Sequence, residues 1–421
     1  MSPNTPRYPR DVSEVVRAGL CTSCGLCESI AGSDCIKMTL NSNGFMRPRV
    51  VSRVDDDVNR TIMSVCPGRT VTGPGASSDG YTDDRWGPIR ELRRSWSAEP
   101  RVRHHGAAGG TLTALGRYLL AVGEVDAVVH VKASQDIPWQ TDSVVSTTPD
   151  EVMDSAQSRY GPAAPLIHVN RLLDEGKRFA VIAKPCDVTA IRALGRVDAR
   201  VRTQIPYLLT IFCGGIHHVN IPRQIINHHG VDESDVAVFR YRGDGWPGPT
   251  RVETKSGERH DISYQKTWLE PAPWTYDMQF RCKICPDAIG ENGDVAAPDG
   301  WVLREGKAVH DEAPGVNATL IRTARGAELM NNAISAGYLQ AASLTLEELG
   351  QMHVDHRPRK LGWPAAQAAL VLLRQPRLQI RGYRLLRTLR AAGVALTRQQ
   401  FTGTIKRIRR GDNHEGTTAN I

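Results

Sequence analysis

Unbroken apolar runs and helically spaced ones alternate through most of this chain. Behind Gly109-Gly110-Thr111, the stretch LTALGRYLLAVG has helical spacing and closes at Gly123. AVVHV (Ala127–Val131) follows as a strand. Thr148-Pro149-Asp150-Glu151 opens another helix, with a capping box and a proline at the first helical position. FAVIA (Phe179–Ala183) and YLLTIF (Tyr207–Phe212) are continuous apolar runs, as in strands covered on both faces of a mainly parallel sheet. The helical VTAIRALG stands between them. β-like segments at 236–241 and 251–254 are joined by the turn GDGWPG. Residues 317–350 read as a strand, a helix ended by Gly337, and a helix capped by Thr345 with Glu348 three residues on.

This rhythm predicts a central α/β domain over residues 86–350. Ahead of it, residues 1–75 form a separate small module. The stretch rich in Gly, Pro, Ser and Asp up to Tyr81 reads as a linker. Beyond it, residues 353–421 form a helical basic tail. There Arg374, Arg377, Arg381, Arg384, Arg387 and Arg390 recur at near three-residue spacing, which would stripe one side of a helix. A length of 421 residues fits more than one domain. No internal repeats are evident.

Charge sharpens this division. The chain carries a net +8, but the residues from His353 onward alone sum to +11, so the preceding chain sums to −3. The basicity belongs to the tail. A solvated basic helix is the plain reading; an acidic redox partner or an anionic membrane face are sharper ones. Nucleic-acid binding ranks below these, because no aromatic interleaving or nucleic-acid motif accompanies the charge. No run approaches the roughly 18 apolar residues that span a bilayer. No secretory leader is evident at the N-terminus, so a cytoplasmic location is expected. Thiols stay reduced there, and nine cysteines suggest metal or redox chemistry.

The cysteines fall in a pattern. CTSCGLC carries Cys21, Cys24 and Cys27; Cys35 and Cys66-Pro67-Gly68 follow. A C-x-x-C-x-x-C triplet with a distant Cys-Pro is the ligand logic of a ferredoxin-type [4Fe-4S] cluster. The usual nearby fourth position falls on Ala31, which leaves Cys66 as the preferred fourth ligand and Cys35 as the runner-up. A zinc site would favour two separated pairs. Cys186 and Cys213 stand just after the two apolar runs, at the carboxyl ends of strands where α/β sheets form their ligand crevice. With Cys282-x-x-Cys285 they make four thiolates, enough for a second cubane. Gly109-Gly110-Thr111, at a helix start, suits a phosphate as well as it suits plain steric need. Ser158-Arg159-Tyr160 alone reads as a loop.

The ordered series CTSCGLC, CPG, GGTLTAL, SRYGP, KPCDVTAIRAL, FCGG and CKICPDAIGENGD with Trp301 resembles the beta-subunit family of coenzyme F420 hydrogenases and dehydrogenases. That family includes reductases acting on chlorophyll-type substrates. The resemblance runs from about Cys21 to about Leu349. It implies a ferredoxin-like [4Fe-4S] module followed by an α/β domain holding a non-covalent FAD and a cluster. By position it places Gly109, Gly110, Thr111 and Thr113 along the FAD, with Ser158, Arg159 and Tyr160 nearby. Lys184 would meet flavin or phosphate. Cys186, Cys213, Cys282 and Cys285 would hold an inner cluster, and Cys21, Cys24, Cys27 and Cys66 an outer one.

The function expected is that of an iron–sulfur flavoprotein oxidoreductase, with F420, ferredoxin or NAD(P)H as donor or acceptor. The alternatives are an electron-transfer subunit without its own substrate pocket and, more remotely, a zinc-stabilised binding module. A redox partner protein, either ferredoxin or a partner subunit, is expected. No residue presents itself as a proton donor.

Overall fold

The computed structural model describes residues 7–74 and 80–415. Residues 75–79, inside the expected linker, lie outside the described residues, as do 1–6 and 416–421. The apolar runs become the middle of one eight-stranded sheet. Its strands are β1 (Glu91–Ser97), β2 (Ala127–Ala133), β3 (Thr141–Ser146), β4 (Phe179–Ala183), β5 (Leu208–Thr210), β6 (Val295–Ala296), β7 (Asn317–Ile321) and β8 (Leu339–Ser343). Their spatial order is β8-β1-β7-β6-β5-β4-β2-β3. The four central strands β6, β5, β4 and β2 run parallel. The pairings beyond them are antiparallel. The sheet is therefore mixed, and the parallel character expected from the apolar runs is confined to its centre.

The helices that bear on the site are α1 (Val12–Arg17), α2 (Leu26–Ala31), α3 (Asp56–Val65), α4 (Thr111–Ala121), α5 (Pro185–Val197), α6 (Phe280–Lys283), α7 (His356–Leu372) and α8 (Leu385–Arg410). Successive strand residues point to opposite faces. Val129, Val181 and Leu208 meet Val188 and Ile191 of α5 on one face. Val128, Ala180, Leu209 and Val295 meet Ala114, Leu115 and Leu119 of α4 on the other. Both faces are covered, which is why these runs are continuously apolar.

The first seventy residues do not build a core alone. Val12, Val15, Leu20, Ile36 and Ile62 pack with Phe280 and Ile284, and with Trp363, Leu370 and Ile408 of α7 and α8. Each such buried side chain is worth roughly 1.5–3 kcal/mol, so this shared core ties three distant parts of the chain together. A short strand, Gln379–Arg381, also pairs in parallel with Thr70–Thr72. The basic C-terminal segment is thus built into the body.

The single striped helix expected over the arginines does not form. Helix α7 ends at Leu372, and Arg374 (φ 54), Gly382 (φ 73) and Arg384 (φ 52) adopt left-handed angles before α8 starts. Only Arg387 and Arg390 of the six lie within a helix. The expected strand over 207–212 is also shorter, its pairing ending at Thr210.

Candidate functional site

Parallel neighbours deliver their following loops to one edge of the sheet. Strands β4 and β5 pair Ala183 with Thr210, so Lys184-Pro185-Cys186 and Ile211-Phe212-Cys213 leave side by side. Helix α6 and the turn after it bring in Cys282 and Cys285. All four thiols line one small cavity, shared with Lys184, Arg281 and Asp287. Burial pushes the Cys213 thiol up to about 12, and the neighbouring Cys282 adds to it. Burial likewise raises Cys186 and Cys285. Buried thiols of this kind ionise only beside a strong cation, as metal binding provides. Two donors of Arg281, Nε and Nη1, are buried without a partner among the described residues, while its Nη2 donates to the Pro67 carbonyl at 3.3 Å. Orphaned donors on a residue that lines the same cavity as four sulfurs suit an acceptor-rich body such as a sulfide-bearing cluster.

The acids after Cys285 have internal partners. Asp287 accepts from the Glu291 backbone N–H at 3.1 Å and from the Tyr383 hydroxyl at 3.2 Å. Glu291 is fully buried between Lys360 and Arg384. Asp294 accepts from Arg192 at 2.8 Å and from the Leu208 N–H at 2.9 Å.

Four of the other five cysteines gather around a tight loop. Ser23 (φ 62) and Gly25 (φ 84) turn the chain between Cys21 and α2. A side chain at Gly25 would come within 2.7 Å of Ile167. Cys66 caps the end of α3. Burial is the main cause raising Cys27, and Cys24, Cys21 and Cys66 add to it. Burial also lifts Cys24 to about 11 and raises Cys66. Cys35 lies in the turn before the Ile36–Leu40 strand and is not among the main charges acting on any of these four.

The two sets are neighbours. Thr22, next to Cys21, lines the inner cavity. Lys184 feels the charge of Cys186 from one set and Cys24 from the other. Its ammonium donates to both oxygens of Asp187, at 2.7 and 2.8 Å. Burial opposes the lysine's charge, but Asp187, Cys186 and Cys24 together outweigh it and hold the group protonated.

Beside the inner set, the same sheet edge opens into two adjoining clefts, of about 580 and 220 Å³. Leu112, Thr113, Ser158, Tyr160 and Phe212 line both. Gly110 (φ 73) stands at the N-cap of α4, and a side chain at Gly109 would collide with the backbones of Asn317 and Ser95. Thr111 is buried, its hydroxyl bonded to Ser95 at 2.8 Å and its N–H to Asn317. Thr111 therefore anchors the turn, while Leu112 and Thr113 begin the helix at the cleft wall. Arg159 donates to the Phe239 and Gln140 carbonyls and to Thr141. Burial lowers it to about 10. Its guanidinium is occupied inside the protein.

The larger cleft holds residues that motif reading did not single out. Arg242 donates to Asp299 at 2.8 Å and to the Ala107 carbonyl at 2.7 Å, and lies over the rings of Tyr264 and Trp301. His217, His310, His353 and His356 also line it. Burial lowers His353 to about 4 and His356 to about 3, so both are neutral near pH 7. His356 keeps a buried ring nitrogen, Nε2, without a partner. Only their nearness to FCGG and Trp301 could have flagged these residues.

Residues 94–170 match the family model for the N-terminal part of the coenzyme F420 hydrogenase/dehydrogenase beta subunit, and residues 176–347 match that for its C terminus. The chain belongs to this family. Among its relatives, a coenzyme F420-dependent sulfite reductase of Methanocaldococcus jannaschii is 23% identical over 77% of this chain and 47% of that protein. The beta subunit of an F420-dependent formate dehydrogenase of Methanococcus maripaludis is 26% identical over 58% of this chain and 59% of its own length. The chain thus spans about half the length of these two relatives. A coenzyme F420 hydrogenase beta subunit of Methanococcus voltae is 26% identical and matched over 78% of its length. Among solved structures, a chain of the F420-reducing [NiFe] hydrogenase complex from Methanosarcina barkeri superposes with a TM-score of 0.54 at 18% identity, covering 70% of this chain and 98% of that one. The fold is shared with that chain. No helix among the described residues is long and apolar enough to cross a membrane.

Proposed function

We propose that this family member is an iron–sulfur flavoprotein oxidoreductase that works with a redox partner. Cys186, Cys213, Cys282 and Cys285 would hold an inner [4Fe-4S] cluster, and Cys21, Cys24, Cys27 and Cys66 an outer one. The two adjoining clefts would take FAD, with Gly109, Gly110, Thr111 and Thr113 along it and Ser158 and Tyr160 on the facing wall. The observation that carries this reading is the convergence of eight thiols, Cys21 and Cys24 buried and the other six half-buried, as two neighbouring sets beside those clefts. Among the described residues, no group of three His, Cys, Asp or Glu side chains could hold a metal ion. The C-x-x-C-x-x-C triplet with a distant Cys-Pro supports a cubane over zinc, which would favour two separated pairs.

FAD supplies the exchange between a hydride, taken up as an electron pair, and single electrons. The protein's part is to bind and orient. The Gly109-Gly110 turn would bring backbone close to the ligand, and the start of α4, where the Thr111 N–H is already bonded to Asn317, would offer its partial positive charge to a phosphate. Lys184 and Asp187 set the charge where the cleft meets the inner thiols. Arg242 and Asp299 hold the aromatic wall of Tyr264 and Trp301 in place. That wall and the larger cleft support a small-molecule site on this chain in addition to electron transfer.

Anaerobic purification followed by iron, sulfide and flavin analysis tests the reading. Iron matched by sulfide, with one FAD per chain, is expected; zinc without flavin overturns it. A second reading, an electron-transfer subunit whose substrate site lies elsewhere, draws on relatives named as beta subunits. Mixing the isolated protein with reduced F420, NAD(P)H or reduced ferredoxin separates the two: bleaching of the flavin by a small-molecule donor supports a site on this chain.

A further inference from the structure

Between the two cysteine sets lies a charged group that none of the motifs includes. Arg47, on the strand Met46–Val50, is fully buried. Its Nε and Nη2 each donate to one oxygen of Glu415, both at 2.6 Å, a forked ion pair joining chain segments 368 residues apart. Its Nη1 donates to the Ser23 hydroxyl at 2.7 Å and to the side-chain oxygen of Gln279 at 3.1 Å. Each of those neighbours touches a cysteine. The Ser23 N–H donates to the Cys21 sulfur at 3.4 Å, and the Gln279 amide donates to the Cys282 sulfur at 3.2 Å. A continuous hydrogen-bonded path therefore runs from Cys21 through Ser23, Arg47 and Gln279 to Cys282. Those two sulfurs, one from each set, are also the thiols whose charge acts on the guanidinium.

Glu415 is firmly placed. Asn41 donates to it at 3.3 Å. Two residues earlier, buried Asn413 bonds Gln375 at 2.9 Å, and its carbonyl lies so close to Gly19 that a side chain there would approach to 2.8 Å. Neither Arg47 nor Glu415 falls within the residues matched by the family models. The pair is a feature of this chain's flanks.

We propose that Arg47 is a positioning residue for electron transfer between the two sets, a fixed cation that favours the reduced form of what each set holds, and that Glu415 limits how strongly that charge is felt. The proposal rests on the reading of the two sets as iron–sulfur clusters. Adding an electron adds negative charge, which a nearby cation stabilises most where water is excluded. Arg47 remains charged at any working pH, so its influence does not titrate. Glu415 opposes it from the far side of the guanidinium.

The two partners must then act with opposite sign. Redox titration of the full chain, followed by electron paramagnetic resonance of each cluster, is the test. Arg47→Gln should shift both potentials downward, Glu415→Gln should shift both upward, and Arg47→Lys should stay near the parent protein. Iron and sulfide are measured first on every preparation. Absence of iron from the parent protein sinks the cluster reading itself. Intact clusters whose potentials do not move, or move the same way in the Gln variants, overturn the role of Arg47. Should Arg47→Gln not fold, Glu415→Gln decides alone: an upward shift in both clusters supports the proposal, and no shift or a downward one overturns it.

Discussion

The outer cysteines are gathered by local turns, the inner ones by the sheet. Cys21, Cys24 and Cys27 lie on one loop shaped by Ser23 and Gly25, and Cys66 arrives at the end of a single helix. The inner four need β4 beside β5, and the chain returning through α6. The outer ligands come from one short stretch of chain, although the core beneath them is shared with the C-terminal helices, whereas the inner set exists only once the strand pairing is complete. The outer set should therefore tolerate damage to the sheet edge, while the inner set should not.

The strongest way to break this comparison is Cys285→Ser. It should remove the inner cluster, with about half the iron and sulfide, and loosen the flavin, while the outer cluster keeps its spectrum. Loss of all iron would show that the eight thiols do not divide in two.

Glu291→Gln should come next. It leaves Lys360 and Arg384 without their buried counter-charge, and breaking a buried pair costs about 3–5 kcal/mol. Chemical denaturation should show that loss, and iron should fall from the inner set first, because Glu291 ties the turn after Cys285 to the C-terminal helices. Equal loss from both sets would argue that the sets stand or fall together.

Acid should separate the regions more gently. Burial lowers His130, bonded to Ser146 at 2.7 Å on the cleft side of the sheet, to about 4. The unfolded residue titrates near 6.5, so between these values the unfolded chain binds the extra proton. This contribution is present above about pH 6.5 and is lost as pH falls toward 4, by roughly 3 kcal/mol at most. His130→Gln should flatten the pH dependence of the melting temperature in that window; an unchanged slope would remove His130 as its source.

The smallest effect is expected at Cys35. Cys35→Ser should leave the iron content unchanged and stability within about 0.5 kcal/mol. A halved iron content would instead make Cys35 the fourth ligand of the outer set.

How much the sequence revealed tracks the same division. The helical and apolar rhythms marked α4, β2, β4 and α5, and both capping boxes formed where Thr148 and Thr345 suggested. The adjacency of β4 and β5 could be posed only as a condition, because pairing is not written in either strand. The antiparallel pairing of the outer strands is hidden for that reason, although β7 itself shows as the strand that opens residues 317–350. The arginine periodicity misled because spacing was weighed over Pro376 and Gly382, which punctuate the chain there. The buried pairs Arg47–Glu415, Arg242–Asp299 and Lys360–Glu291 join residues far apart in sequence, so no local pattern announces them.

The distance between Arg47 and Glu415 has a consequence for how the protein is made. A ribosome delivers the guanidinium 368 residues before the carboxylate that neutralises it. Throughout most of translation, the loop carrying CTSCGLC borders an uncompensated cation that stays hydrated. The N-terminal part can close only after the last helix has emerged. If the first cysteines take up a metal centre as proposed, the interval before that closure is the one in which the route to Cys21 is still open.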